Sequence, residues 1–159
     1  METQKRPNNL AVIWREIQGA NNWEGLLDPI NPILKKEILK YGEFAELCYD
    51  YFDCNTYSKN YGCCKYGRTK LFEQENAPSY GYEITKYIYA SPQAHLPRYF
   101  LRALAPVTWS GEFTWMGFIA VAKEEEVERL GRRDIVVTWR GSEISLEWIQ
   151  DLRDWLVPA

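Results

Sequence analysis

Apolar residues recur every three or four positions between residues 32 and 52, which predicts one long amphipathic helix. Asn31 followed by Pro32 is a typical start signal, because Asn caps free N–H groups and Pro is favoured at the first helical position. We expect this helix to lie against the core through one apolar stripe, which consists of Leu34, Ile38, Tyr41, Ala45, Cys48 and Phe52.

Three later segments have the character of β-strands. Residues 82–90 (YEITKYIYA) alternate and are rich in β-branched and aromatic side chains. Residues 113–122 and 134–141 are apolar on both alternating faces, or nearly so, which is typical of a sheet covered on both sides by helices. The run at 123–134 has acids first and bases last, which suits a short solvated helix ended by Gly131. The order of these elements predicts an α/β fold.

Composition narrows the class of protein. The 159 residues suffice for one domain or for a piece of a larger one, and 7 Trp, 11 Tyr and 6 Phe predict a core rich in aromatic rings. The net charge of -3 argues against a nucleic-acid partner, because proteins that bind phosphate backbones carry a clustered basic excess.

The four cysteines match neither paired zinc knuckles nor a secreted disulfide framework, and His95 is the single histidine that could complement them. We therefore expect reduced thiols and no metal at Cys48, Cys54, Cys63 and Cys64. The first fourteen residues contain only five apolar residues together and lack the composition of a transit peptide. With no apolar run near the length of a membrane span, these features predict a cytoplasmic location.

The segment after the third strand is the candidate for chemistry. The strand ends at Arg140 and Gly141, and a helix is predicted to begin near residue 144. Glycine permits backbone geometries that other residues resist, and the first turn of a helix has N–H groups without intrahelical partners. Such donors can hold the negative charge that develops on a carbonyl oxygen. The alternative is a purely structural turn in which Ser142 or Ser145 caps the helix.

Long blocks of the sequence carry a family resemblance. They are WREIQGANNWEGLLDP, ILKKEILKYGEFAELCYDYFD, YSKNYGCCKYG, YEITKYIYA, WMGFIAVA, LGRRDIVVTWRGS and LEWIQDL. In this order they resemble the class 3 lipases, and most closely the plant phospholipase A1 branch. The resemblance implies an α/β-hydrolase fold and hydrolysis of acyl esters of phospholipids or galactolipids, typically at the sn-1 position. It also implies transient peripheral contact with a membrane surface and no metal or organic cofactor.

In this family a strand that ends in Arg-Gly-Ser supplies one arm of the oxyanion hole. The resemblance therefore assigns that role to Ser142, through its backbone N–H and its hydroxyl, and gives Arg140 and Gly141 a shaping role. Three residues of the following segment are expected to pack behind the hole without a catalytic role: Glu147, Trp148 and Asp151.

The family's nucleophile and base have no counterpart in these residues. No G-x-S-x-G occurs, since GSEIS lacks the flanking glycine, and His95 precedes the oxyanion motif although the triad histidine comes last in this fold. We expect residues 1–159 to be the N-terminal portion of one α/β-hydrolase domain, with the nucleophile elbow and the rest of the triad beyond Ala159. Alone, the chain is expected to be inactive.

An incomplete sheet would leave apolar surface exposed. The tryptophans expected to face missing neighbours are Trp109, Trp115, Trp139, Trp148 and Trp155. Two other classes of function remain open. One is a non-catalytic truncated isoform that binds lipid or a protein partner. The other is a cysteine-based metal or nucleic-acid module, which would require bound zinc or salt-sensitive binding of oligonucleotides.

Overall fold

The computed structural model describes residues 9–90 and 113–143. In chain order its elements are α1 (Leu10–Ile17), α2 (Pro32–Asp50), a 3-10 turn (Leu71–Glu73), β1 (Tyr82–Ala90), β2 (Thr114–Ala122), α3 (Glu124–Leu130) and β3 (Ile135–Trp139). The three strands form one antiparallel sheet in the order β1-β2-β3. The prediction of a mixed α/β architecture is confirmed.

The long helix begins where the sequence predicts. The Asn31 side chain accepts hydrogen bonds from the backbone N–H of Ile33 at 2.8 Å and of Leu34 at 3.3 Å, and Pro32 opens the first turn. The helix ends at Asp50, two residues before the predicted boundary. Within the described residues, no helix has the length and apolar character needed to cross a bilayer.

The buried face of α2 differs from the predicted stripe. Ile38 is 52% exposed, whereas Glu37 and Lys40 are buried. Lys40 Nζ lies 2.7 Å from Glu37 Oε2 and 3.4 Å from Glu126 Oε1 on α3. Arg129 pairs with the same two carboxylates, so two cations balance two buried anions. A pattern based on hydrophobicity misses such a face, because it assigns every charged residue to solvent. Three members of the predicted stripe are buried: Leu34, Cys48 and Phe52.

The centre of the core is aromatic, as the composition predicts. Phe44 on α2 is fully buried, and its ring meets Tyr82 of β1 edge-on at 5.3 Å between centroids and Phe118 of β2 at 6.3 Å. Perpendicular aromatic pairs are favourable beyond their buried area. These contacts fix α2 against the middle of the sheet.

The helix α3 ends at Gly131, which has a left-handed φ of 69°, so the predicted stop is confirmed. A β-carbon at this position would lie 2.7 Å from Ala11 Cβ on α1, so the glycine also permits close packing. The interpretation of α3 as a solvated connector holds for one face only, since four of its seven residues are exposed. Glu126 and Leu130 are buried, and Arg129 Nε binds Glu126 Oε2 at 2.6 Å.

The two faces of the sheet are covered unequally. Buried residues occur on both faces of β2, as predicted, and Trp115 is fully buried although we expected it to face a missing neighbour. On β3 only one face is covered within the described residues: Val136 and Thr138 are buried, whereas Trp139 is 63% exposed, as predicted. The sequence of β3 is apolar at nearly every position, so its pattern does not show which face of the strand is buried and which is exposed.

Candidate active site

The candidate motif lies directly after β3, where β2 and β3 approach closely. Trp139 is paired with Gly117 of β2, and the N–H of Arg140 donates to the Met116 carbonyl at 2.8 Å. A β-carbon on Gly117 would lie 2.0 Å from the Thr138 carbonyl oxygen. The absence of a side chain at Gly117 therefore allows β2 and β3 to approach closely just before the Arg-Gly-Ser motif.

Arg140 is buried, with only 1% of its surface exposed. Its Nε donates to the Trp115 carbonyl at 3.0 Å, and its Nη1 donates to the Gly141 carbonyl at 2.7 Å. The guanidinium carbon lies 3.7 Å from the centre of the Phe52 ring, within cation–π distance. Arg140 therefore ties β2, the end of α2 and the backbone of the motif together, which gives the predicted shaping role a physical basis.

Gly141 is held by a residue that the sequence analysis did not single out. Its N–H donates to the Tyr49 hydroxyl at 2.7 Å, and a β-carbon on Gly141 would lie 2.9 Å from the same oxygen. Gly141 does not have a positive φ, so the reason first given for this glycine, unusual backbone geometry, is wrong. The reason is space: the backbone must approach Tyr49.

The N–H of Gly141 is engaged by the Tyr49 hydroxyl within the fold in this conformation. Ser142 follows β3 by three positions and is partly buried. Its role as an oxyanion donor stays a prediction. The predicted helix from residue 144 lies outside the described residues, as do His95, Trp109, Glu147, Trp148, Asp151 and Trp155.

Beneath β3, a cysteine packs against the strand that carries the motif. Cys48 Sγ lies 3.7 Å from Thr138 Oγ1, and both residues are buried. Burial raises the pKa of the Cys48 thiol to about 11, so it is protonated and a poor nucleophile near neutral pH. All four cysteines are free thiols, and the described residues contain no cluster of His, Cys, Asp or Glu suited to hold a metal ion.

Sequence reasoning missed three residues that shape the motif: Tyr49, Trp115 and Gly117. Tyr49 is almost half exposed and lies beside Cys48 of the predicted stripe, so nothing in the pattern links it to a residue 92 positions away. Gly117 carried the one available signal, because a glycine inside a strand often marks a close backbone approach.

Comparison with known proteins supplies the family. No protein-family model matches the chain. It is 52% identical over 153 residues to the Arabidopsis thaliana protein named phospholipase A1-Igamma3, chloroplastic, covering 95% of this chain and 29% of that protein. It is 42% identical to phospholipase A1-Igamma1, chloroplastic, from the same plant, with 98% of this chain and 30% of that protein covered. It is 44% identical to galactolipase DONGLE, chloroplastic, also from that plant, with 94% of this chain and 31% of that protein covered. The chain is a homologue of the plant phospholipases A1.

The resemblance seen in the sequence blocks is thus confirmed, and the match extends over nearly the whole chain. The chain spans about 30% of the length of these phospholipase A1 relatives.

The expected cytoplasmic location is wrong. These relatives are named chloroplastic, which points to a plastid. That expectation rested on the composition of the first fourteen residues. The cellular location of a protein is specified by a targeting segment, which is separate from the residues that build the folded core. The core residues therefore do not indicate the location.

Proposed function

We propose that the chain is the N-terminal portion of an α/β-hydrolase domain that cleaves acyl esters of phospholipids or galactolipids at the sn-1 position in a plastid. Residues beyond Ala159 would supply the nucleophile, the base and the acid. The observation that supports this most directly is the identity of 52% to a phospholipase A1 over a segment that includes the Arg-Gly-Ser motif.

In the proposed reaction, Ser142 stabilises the tetrahedral intermediate. When the nucleophile attacks the ester, the carbonyl oxygen becomes negatively charged, and a fixed N–H donor lowers the barrier because it needs no reorganisation at that moment. Arg140 and Tyr49 act as positioning residues: they hold the carbonyl and the N–H of Gly141, so the backbone that leads into Ser142 has little freedom.

The test is a chimera in which this chain replaces the matching segment of phospholipase A1-Igamma3. We expect it to release fatty acid from phosphatidylcholine or monogalactosyldiacylglycerol, and mass spectrometry of lipids with two different acyl chains should assign the release to sn-1. Ser142→Pro removes the backbone donor and should lower kcat by about 100- to 1000-fold. Ser142→Ala keeps the N–H and measures the contribution of the hydroxyl. Thermal unfolding of each variant checks that the fold is intact.

A chimera that is folded but hydrolyses neither lipid would contradict the proposal. Ser142→Pro with kcat near that of the unmodified chimera would remove the assigned role of Ser142 while leaving the hydrolase intact. The isolated chain offers a further control, because without G-x-S-x-G it should not react with a fluorophosphonate probe.

A second candidate, a non-catalytic form that binds a partner, is favoured by the exposed face of β3. Ile135, Val137 and Trp139 are each at least half exposed within the described part of the chain. It predicts that the isolated 159-residue chain is soluble and unfolds cooperatively. Aggregation at low concentration or a broad transition would count against it.

A further inference from the structure

The hydrogen bond between Tyr49 and Gly141 uses only part of the bonding capacity of the tyrosine hydroxyl. The hydroxyl oxygen accepts the Gly141 N–H at 2.7 Å. A phenolic hydroxyl can also donate its own hydrogen, and among the described residues no acceptor receives that hydrogen. A hydrogen-bond donor therefore remains available beside the Arg-Gly-Ser motif.

Two tyrosines elsewhere in the fold use the same hydrogen differently. Tyr41 and Tyr82 both donate to Asp134 Oδ2, at 2.8 Å and 2.7 Å. Their hydroxyl hydrogens are thus engaged inside the protein, where they stabilise a carboxylate. The hydroxyl of Tyr49 only accepts, so its hydrogen is not required for the packing of the described elements.

The donor of Tyr49 lies where a substrate can reach it. The Tyr49 side chain is 45% exposed, Gly141 is exposed, and Ser142 is partly buried. A buried donor without an acceptor would destabilise the fold, whereas a donor at the surface bonds to water. A carbonyl oxygen of a bound ester can take the place of that water.

Chain geometry limits the distance between this donor and the backbone of Ser142. The Tyr49 oxygen lies 2.7 Å from the Gly141 nitrogen, and one residue of chain spans at most about 3.6 Å. The Tyr49 oxygen is therefore within about 6 Å of the Ser142 nitrogen, which is twice the length of one hydrogen bond. A single oxygen between the two donors can accept a hydrogen bond from each of them.

The glycine of the motif keeps Tyr49 close and strengthens its donor. A β-carbon on Gly141 would lie 2.9 Å from the Tyr49 oxygen, so a larger residue would push the hydroxyl away. A hydroxyl that accepts a hydrogen bond is polarised and becomes a better donor itself. The bond from the Gly141 N–H therefore both places and activates the Tyr49 hydroxyl.

We propose that the Tyr49 hydroxyl is a catalytic donor of the oxyanion hole, in addition to its positioning role. The inference rests on the proposed function. When the nucleophile forms its bond to the acyl carbon, the π pair of the carbonyl moves to the oxygen, and Tyr49 donates a hydrogen bond to that oxygen while keeping its proton. When the pair returns, the bond from the acyl carbon to the alcohol oxygen breaks, and the alcohol oxygen receives a proton from the protonated base.

The experiment compares Tyr49→Phe with the unmodified chimera described above, using a soluble short-chain ester. Phenylalanine keeps the ring and removes the hydroxyl, so kcat should fall by about 100-fold with little change in KM. The affinity for a trifluoromethyl ketone, which forms a tetrahedral adduct with the nucleophile, should fall by a similar factor. The matched control is Tyr57→Phe, because Tyr57 is 97% exposed and its kinetics should not change. Thermal unfolding verifies that each variant is folded.

A second comparison separates donation from positioning. In the Ser142→Pro background, Tyr49→Phe should still lower kcat by at least about tenfold, because an independent donor acts without the Ser142 N–H. No further loss in that background would mean that Tyr49 acts only through Ser142, and would overturn the inference. A kcat of Tyr49→Phe within about twofold of the unmodified chimera would overturn it too, while leaving the hydrolase function intact. An inactive unmodified chimera would refute the proposed function and the inference together.

Discussion

Replacing Gly117 by alanine tests how the candidate motif is positioned. The added β-carbon would lie 2.0 Å from the Thr138 carbonyl oxygen and 2.7 Å from Trp139 Cα, both backbone atoms of β3. A carbon and a carbonyl oxygen on adjacent strands normally stay at least about 3.3 Å apart. The strands must therefore separate by more than about 1 Å, immediately before Arg140.

The expected cost lies at the upper end for overpacking, about 3 kcal/mol, because no flexible side chain can move aside. For a chain of this size that corresponds to a fall in Tm of about 6 to 12 °C. The measurement is thermal and urea unfolding of the Gly117→Ala variant, followed by tryptophan fluorescence.

The matched control is Gly42→Ala, the same chemical change on the exposed side of α2. A β-carbon there would have no neighbour within 4 Å, and alanine favours a helix over glycine by about 1 kcal/mol, so stability should rise. Opposite signs for the two substitutions would support the reasoning. If Gly117→Ala unfolds with the same midpoint as the unmodified chain, the close approach of β2 and β3 is not what we describe.

Three further outcomes follow from buried groups. Arg140→Met leaves two carbonyl groups without their charged donor and should destabilise the fold by about 3 kcal/mol, measured by urea unfolding; a loss below about 1 kcal/mol would argue against its shaping role. Lys40→Met removes the buried partner of the Glu37 and Glu126 carboxylates, which keep only the half-exposed Arg129, and should cost about 3 kcal/mol, part of which a second change, Glu37→Gln, restores. In iodoacetamide labelling at pH 8, Cys48 should react only after unfolding, since burial raises the pKa of its thiol to about 11; rapid labelling of the native chain would contradict its burial.

Much of the local structure was predictable because the signals are local. The Asn31–Pro32 start of α2 and the Gly131 stop of α3 depend on backbone groups within one helical turn. The strands β1, β2 and β3 each fall within a predicted segment. The family resemblance was also readable, since long ordered blocks survive where single short motifs would be ambiguous.

The errors have a common physical origin. Ile38 was placed in the core, and Glu37 and Lys40 were left out of the buried stripe, because hydrophobicity describes each residue by itself. A charged side chain becomes buried when an opposite charge reaches it, and Glu126 lies 86 positions away from Lys40 along the chain. The prediction of a cytoplasmic location failed for a different reason, since the composition of a folded core does not encode the compartment to which a protein is sent.

By itself, the sequence determined the class of fold, the start of its main helix and the position of the Arg-Gly-Ser motif at the end of a strand, because these depend on periodicity, caps and ordered blocks. Tertiary structure alone decided how that motif is held. The contacts of Gly141 with Tyr49, of Arg140 with Trp115, and of β2 with β3 at Gly117 join residues 21 to 92 positions apart. Such pairs are specified by the packing of whole elements against one another, and no local pattern in the chain encodes them.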